Sequence, residues 1–293
     1  MGRQPRTLQE WREYHYEVEK DYASRIVLSP KGSEERKKLI EEAYSRVIGD
    51  IIERYDPEGG ETHYTKVVVS IVHRLVPEGG SVFDLGCGSG NLISTLIRRG
   101  YEAKGIDISR DCIRRARERL RPLSSENCVE QADILEYETE DSFDCIVMDN
   151  VIEHLVPDSV QDVLTKCLGI LNPTGHIIIW TPHRFSGPHD ISKHFLPMGA
   201  KAEGFHLREF SFTEIEKELK EAGFRQVLGF PFHPRLLRKF QVVPTPALWA
   251  ARKARFMEQY LEKSFLAKTL TRNRTLVHAL VAILFPAVCV GVR

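Results

Sequence analysis

"VFDLGCGSGNL", residues 82 to 92, sets a short apolar run against a loop with three glycines in five positions, Gly86, Gly88 and Gly90, and then returns to apolar residues. Glycine at this density marks a backbone that turns with positive φ or closely approaches a ligand, as in the strand-to-helix turns that bind nucleotides. The stretch predicts a buried strand, a ligand-holding loop and the start of a helix. The glycines read GxGxG followed by Asn91, which is not the GxGxxG spacing of a dinucleotide site.

Working outward, "THYTKVVVSIVHRLV" has the apolar spacing of a helix that "PEGG" ends before the strand "SVFDLG". Beyond the glycine loop come helix "NLISTLIRRG", strand "EAKGIDIS", helix "RDCIRRARERL", a short strand near "CVEQADI" and strand "FDCIVMDN". Helix "SVQDVLTKCLGIL", strand "GHIIIWTPH", helix "FTEIEKELKEAGF" and strand "RQVLGF" complete the alternation. Strands alternating with helices imply right-handed crossovers and a parallel sheet covered on both faces, a doubly wound α/β domain. Residues 7 to 55 read as a helical lead-in broken at "LSPKGS". At the other end "TLVHALVAILFPAVCVGVR" is at the short limit for a membrane span and contains His278 and Pro286. It reads better as a core helix followed by a strand "AVCVGV" pairing antiparallel with "RQVLGF" at the sheet edge. The expected organisation is a helical extension over 1–60, a ligand-binding domain over 61–232, and a basic helical insertion with the terminal strand over 233–293.

Composition excludes several classes. The 41 basic residues of the 293-residue chain balance 41 acidic ones, so net charge names no partner. The six cysteines contain no CxxC pair, which argues against a disulfide framework or a zinc knuckle and for a reducing, cytoplasmic setting. "MGRQPRTLQEWREYHYEVEK" lacks the apolar core of a secretory signal.

The glycine stretch resembles motif I of the class I S-adenosylmethionine-dependent methyltransferases, and further blocks follow in that family's order. "GIDIS" is similar to the ribose-binding block, "QADILEY" to the adenine-edge block, and "FDCIVMDNVIEHL" with "LNPTGHIIIWTPH" to the blocks at strands 4 and 5. The resemblance covers roughly 80 to 228 and is strongest to the type 11/12 methyltransferase domain and the ubiquinone-biosynthesis O-methyltransferase group. It implies a Rossmann-like, seven-stranded mixed sheet with a reversed final hairpin. It also implies S-adenosylmethionine as cosubstrate. Asp84 and the backbone of Gly86, Cys87 and Gly88 would face its amino acid part. Asp107 with Ile108 would bind the ribose, Asp133 with Ile134 the adenine, and Asp149 with Asn150 would line the methionine side. Some relatives hold a divalent cation with an E-x-x-E-H cluster. Glu153 and His154 match that cluster and Asn150 replaces its first glutamate, so no metal site is assigned and the cation stays an open alternative.

Methyl transfer to a hydroxyl needs an aligned nucleophile and a base or cation to take its proton. His154, His183, His189, Asp190, His194 and His206 follow strands 4 and 5, at the carboxyl edge of the sheet where such ligands bind. The catalytic candidates are His154, His189 and His194, each set against a plain packing or turn role. Tyr14, Tyr16 and Tyr22 are candidates for an aromatic lid or for packing alone.

Between His233 and Arg274 stand ten lysines and arginines against Glu258 and Glu262, interleaved with Trp249, Phe256, Tyr260 and Phe265. A solvated helical surface, peripheral contact with an anionic membrane, and nucleic acid are the alternatives, with lipid ranked above nucleic acid. The expected function is methyl transfer from S-adenosylmethionine to an oxygen of a small-molecule or lipid-linked metabolite. RNA methylation and a non-catalytic cofactor-binding module are the competing readings.

Overall fold

Successive side chains of the central strands are buried on opposite faces, as a parallel sheet covered by helices on both sides requires. The computed structural model describes residues 7–55, 63–230, 246–263 and 288–293. Its seven strands are β1 (Ser81–Leu85), β2 (Glu102–Asp107), β3 (Val129–Gln131), β4 (Phe143–Asp149), β5 (Leu171–Trp180), β6 (Gln226–Gly229) and β7 (Val288–Val292). They form one sheet in the order β3-β2-β1-β4-β5-β7-β6, parallel through β5, with β7 antiparallel to both neighbours. This is the doubly wound, seven-stranded mixed sheet expected from the sequence.

Val82, Cys145, Val147, Ile178 and Trp180 face one hydrophobic cluster, which includes residues of α3 (His63–Leu75), α4 (Asn91–Arg98) and α5 (Arg110–Leu120). Phe83, Ile146, Met148, Ile177 and Ile179 face the other, with α6 (Val160–Ile170), α7 (Phe212–Glu221) and α8 (Leu248–Lys263). Helix starts follow local chemistry. Ser109 accepts the Cys112 N–H at the start of α5, and Ser211 with Glu214 forms a capping box at α7.

The terminal strand pairs antiparallel with β6 as anticipated, from Gln226↔Val292 to Gly229↔Cys289. It enters between β5 and β6, leaving β6 at the edge. Gly291 makes this insertion fit, because a Cβ there would lie 2.7 Å from Ile177 and 2.8 Å from Phe224. The apolar segment before β7 and most of the basic stretch 233–274 lie outside the described residues. No described helix is long and apolar enough to cross a membrane.

The lead-in is a helix pair, α1 (Leu8–Leu28) and α2 (Glu34–Tyr55). Tyr22, Ile26, Leu39, Ala43 and Val47 pack with Val156 and Phe205, so the pair sits against the loops at the carboxyl edge of the sheet. Arg36 fastens it. Its Nη1 donates to both carboxylate oxygens of Asp158, at 2.8 and 2.9 Å, and its Nη2 donates to the Ser29 carbonyl. Hydrogen bonds to charged groups are worth about 1.5–3 kcal/mol each. Arg36→Ala is therefore expected to loosen the pair by about 2 kcal/mol, read as earlier proteolysis within residues 7–55 while the sheet stays protected. Unchanged cleavage would show that the clamp carries no load.

Candidate functional site

Strand order reverses between β1 and β4, and open α/β sheets bind ligands in the crevice at that switch point. A cavity of about 480 Å³ lies there. Asp84 from β1, Asp107 at the end of β2 and Asp149 at the end of β4 all line it, so three neighbouring strands deliver a carboxylate to one wall. Gly86, Cys87, Gly88, Ile108, Asp133, Ile134 and Asn150 complete the predicted cosubstrate residues around the same cavity, and His154 joins them.

The loop geometry follows from its glycines. Gly86 has φ +79°, and a Cβ there would lie 2.6 Å from the Val151 side chain, so no other residue fits without displacing the turn after β4. Gly88 has φ +52° and donates its N–H to Asp107 Oδ2 at 2.9 Å. Asp107 Oδ1 accepts the Ser109 N–H at 2.8 Å. The β2 carboxylate thus ties the glycine loop to the start of α5. Asp133 Oδ1 likewise accepts the Leu135 N–H at 2.8 Å and orders its own turn.

Electrostatically this wall is poised for a cation. Burial, then repulsion from Asp149 and Asp107, push Asp84 well above the usual carboxylate range. Burial also raises Asp107, against the lowering effect of its two backbone donors. Asp149 is pushed up to about 6 by burial, offset in part by the Asn150 amide that donates to it at 2.7 Å. A positively charged ligand relieves all three at once.

Burial lowers the Cys87 thiol's acidity far from the nucleophilic range, so this loop cysteine serves as a small buried residue.

Another part of the lining comes mostly from outside the motifs. Ile40 and Tyr44, one turn apart on α2, line the cavity together with Thr65 of α3 and Leu155, Val156 and Ser159 after β4. Tyr44 stacks on Phe205 with ring centroids 5.5 Å apart and an interplanar angle of 9°. The lid is therefore built from α2. Tyr14, Tyr16 and Tyr22 do not line the cavity: Tyr14 is solvent-exposed, Tyr16 donates to Glu203 at 2.7 Å, and Tyr22 packs between the two helices. The readable signal was that α2 carries two apolar stripes, Leu39/Ala43/Val47 for α1 and its neighbours and Ile40/Tyr44 for the cavity.

Among the described histidines only His154 lines the cavity. Its Nδ1 lies 2.9 Å from the Phe205 carbonyl, which can only accept, so Nδ1 carries the proton and Nε2 the lone pair. Burial, then the neighbouring His206, lowers its pKa to about 3, so the ring is neutral at physiological pH. His206 packs edge-on against it at 5.0 Å, and its Nδ1 is paired with Glu209 at 2.8 Å. Burial drives this histidine and this glutamate toward their neutral forms.

His189 and His194 lie away from the cavity. His189 Nε2 lies 3.0 Å from Ser186 Oγ and 3.1 Å from the His183 carbonyl, and His194 is exposed. The polar character of "GPHDISKHF" has a local cause. Asp190 accepts from Ser192, Gly204 and His206 and so shapes the loop that delivers Phe205 and His206. His183 reaches Glu258 of α8 at 2.8 Å and anchors that helix.

Glu153, His154 and His206 bring one ligand atom each within 4.8 Å of one another. Glu153 is fully buried: Oε2 accepts from Thr181 at 2.9 Å, Oε1 has no partner, and burial pushes the acid up to about 8. An orphaned carboxylate oxygen beside two imidazoles whose Nδ1 atoms are held by a carbonyl and a carboxylate fits a divalent cation.

A family model described as a methyltransferase domain matches residues 61–228. The chain belongs to the class I S-adenosylmethionine-dependent methyltransferases. Its cosubstrate is S-adenosylmethionine, whose sulfonium and ammonium charges suit the three-carboxylate wall. The methyltransferase is 36% identical over 107 residues to a ubiquinone biosynthesis O-methyltransferase of Ralstonia nicotianae, and 34% over 105 residues to that of Alkalilimnicola ehrlichii. Each match covers 35% of this chain, and 43% and 42% of the respective relatives, so it spans less than half of their length. Among solved structures, a SAM-dependent methyltransferase from Archaeoglobus fulgidus shares the fold at TM-score 0.53 and 18% identity, covering 84% of this chain and all of that one. A Haemonchus contortus phosphoethanolamine N-methyltransferase shares it at 0.51 and 18%, covering 77% of this chain and 52% of that one.

A pH dependence follows for the methyltransferase. Asp149 is about 6 when free, and a cationic ligand favours its ionised form, so binding below pH 6 must expel a proton. Affinity for S-adenosylmethionine is expected to weaken as pH falls from 7 to 5, approaching about tenfold per unit below 6 for one linked proton. Calorimetry in two buffers of different ionisation heat would show the released proton. A flat profile between pH 7 and 5 would remove Asp149 from the cation's surroundings.

Proposed function

We propose that this enzyme transfers the methyl group of S-adenosylmethionine to an oxygen of an uncharged, largely apolar small molecule or lipid-linked metabolite. The observation that carries the reading is the apolar part of the cavity lining, Ile40, Tyr44, Leu155 and Val156, together with His154, whose tautomer the Phe205 carbonyl fixes. No lysine or arginine is among the described residues lining the cavity, which disfavours a phosphorylated acceptor or an RNA backbone there. The O-methyltransferase names of the relatives above agree with oxygen as the acceptor atom.

In this reading the acceptor oxygen attacks the methyl carbon as the carbon–sulfur bond breaks, leaving S-adenosylhomocysteine, and the hydroxyl proton passes to Nε2 of His154. Alignment supplies most of the acceleration, with about 7–11 kcal/mol available from proximity. Ile40 and Tyr44 of α2, backed by Phe205 against Tyr44, would shield the sulfonium from water.

A second reading of the same step rests on the orphaned Glu153 Oε1. Glu153, His154 and His206 would hold a divalent cation, which supplies acidification of a bound hydroxyl. Its own residues argue for it: a neutral imidazole at about 3 is a weak base.

The test incubates the protein with methyl-labelled cosubstrate and a panel of catechols, phenols, amines and transfer RNA, with and without millimolar chelator. Label in an organic-extractable ether supports the proposal, and label in RNA or amine overturns it. Activity indifferent to chelator would leave His154 as the base and remove the cation.

A further inference from the structure

We infer that the outer face of α8 docks this enzyme on an anionic membrane surface, which would bring a lipid-linked acceptor to the carboxyl edge of the sheet. That last step rests on the acceptor class proposed above; the docking itself does not.

The inner face of α8 is fully committed. Ala250, Ala251 and Ala254 are buried, and Glu258 accepts the Phe212 and Thr213 N–H groups at 2.6 and 2.9 Å as well as pairing with His183. Arg255 pairs with Glu216 on the same side. The helix can therefore meet another body only along its outer face.

That face is unusual. Leu248, Trp249, Phe256 and Tyr260 are 46%, 58%, 67% and 54% exposed, and no other described tryptophan or phenylalanine is among the exposed large hydrophobics. At about 100° per residue these four, with Arg252, Lys253 and Gln259, fall within an arc of about 140°. The exposed acid nearby, Glu262, is paired with Arg184. Aromatic rings that protrude between cations match the boundary of an anionic bilayer, where rings sit at headgroup level and cations meet lipid phosphate.

Charge selects this occupant over a second copy of the chain. A two-fold contact on this face would set Arg252 and Lys253 against their own counterparts. The sequence flanking α8, outside the described residues, adds Arg235, Arg238, Lys239, Lys268, Arg272 and Arg274 and no acid within 231–245 or 264–287.

Position makes the contact useful. β6 runs parallel to β5, so Gly229 ends at the carboxyl edge, and Ala247, just before α8, bridges to it. Glu258 fixes the helix to His183, directly beyond β5. The cosubstrate cavity opens at that same edge.

The test is co-sedimentation of the full chain, without any methyl acceptor, on vesicles of phosphatidylcholine alone and of phosphatidylcholine with about one-third phosphatidylglycerol. Binding is expected only to the anionic vesicles, weakening with salt, and falling about tenfold or more in W249S/F256S as apolar area is lost. R252Q should weaken binding further at low salt. Both variants should keep wild-type affinity for S-adenosylmethionine and turnover on a soluble acceptor, which separates docking from folding. Equal binding to neutral vesicles, no binding at low salt, or undiminished binding by W249S/F256S overturns the inference. So does a solution dimer, or a transfer-RNA complex in place of vesicle binding, that the same substitutions abolish. Because no acceptor is present, failure here leaves the oxygen-methylation reading intact, and failure to methylate any hydroxyl leaves the docking result intact.

Discussion

His154→Ala is expected to lower kcat by about 10²–10⁴-fold while leaving the affinity for S-adenosylmethionine within about threefold. The imidazole lines the cavity beyond Asp149 and Asn150 and presents Nε2 because the Phe205 carbonyl holds Nδ1–H. Removing it takes away the proposed proton acceptor, and the cation ligand if one is bound, but none of the carboxylates or glycines assigned to the cosubstrate by resemblance. Isothermal binding and single-turnover methyl transfer separate the two quantities. A variant that loses binding as much as turnover would place His154 in the cosubstrate pocket, and a fully active one would refute its role in the chemistry. Rescue of the alanine variant's rate by raising pH for a phenolic acceptor would identify proton removal as the lost function.

Asp107→Ala is expected to weaken S-adenosylmethionine binding by about 3 kcal/mol, or about 10²-fold, with folding retained. Two effects combine. The ribose hydroxyls would lose the charged acceptor that the resemblance assigns to them, and the Gly88 and Ser109 N–H groups would lose the acceptor that fixes the glycine loop and the start of α5. Asp107→Asn keeps an acceptor but not the charge, so a smaller loss of about tenfold is expected. Calorimetry with S-adenosylhomocysteine as well as S-adenosylmethionine checks this, since both carry the ribose. An alanine variant with unchanged affinity for both would overturn the assignment of Asp107 to the ribose.

Both variants line the same cavity, and they differ in how visible they were beforehand. Asp107 ends a strand one crossover after the glycine loop, so strand–loop–helix spacing alone places it beside Gly88. His154 follows β4 by five positions, which places it at the right edge of the sheet without saying what surrounds it. His189 and His194 occupy the same edge in the sequence pattern, yet their loop is organised around Asp190 and turns them away from the cavity.

The sequence by itself determined the fold class, the strand that carries the glycine loop, and the carboxylates at the ends of β1, β2 and β4. Each of these depends on local spacing: apolar alternation, glycines with positive φ, and a polar residue where a buried strand stops. Only the tertiary structure decided that β7 lies between β5 and β6, that α2 rather than α1 closes the cavity, and that Phe205 and His206 meet His154 across some fifty residues of chain. Those adjacencies are set by packing between distant segments. Ile40 and Tyr44 look like any helical apolar pair until Phe205 is brought against them, and a strand's neighbours depend on which side chains leave room, as Gly291 does beside Ile177 and Phe224.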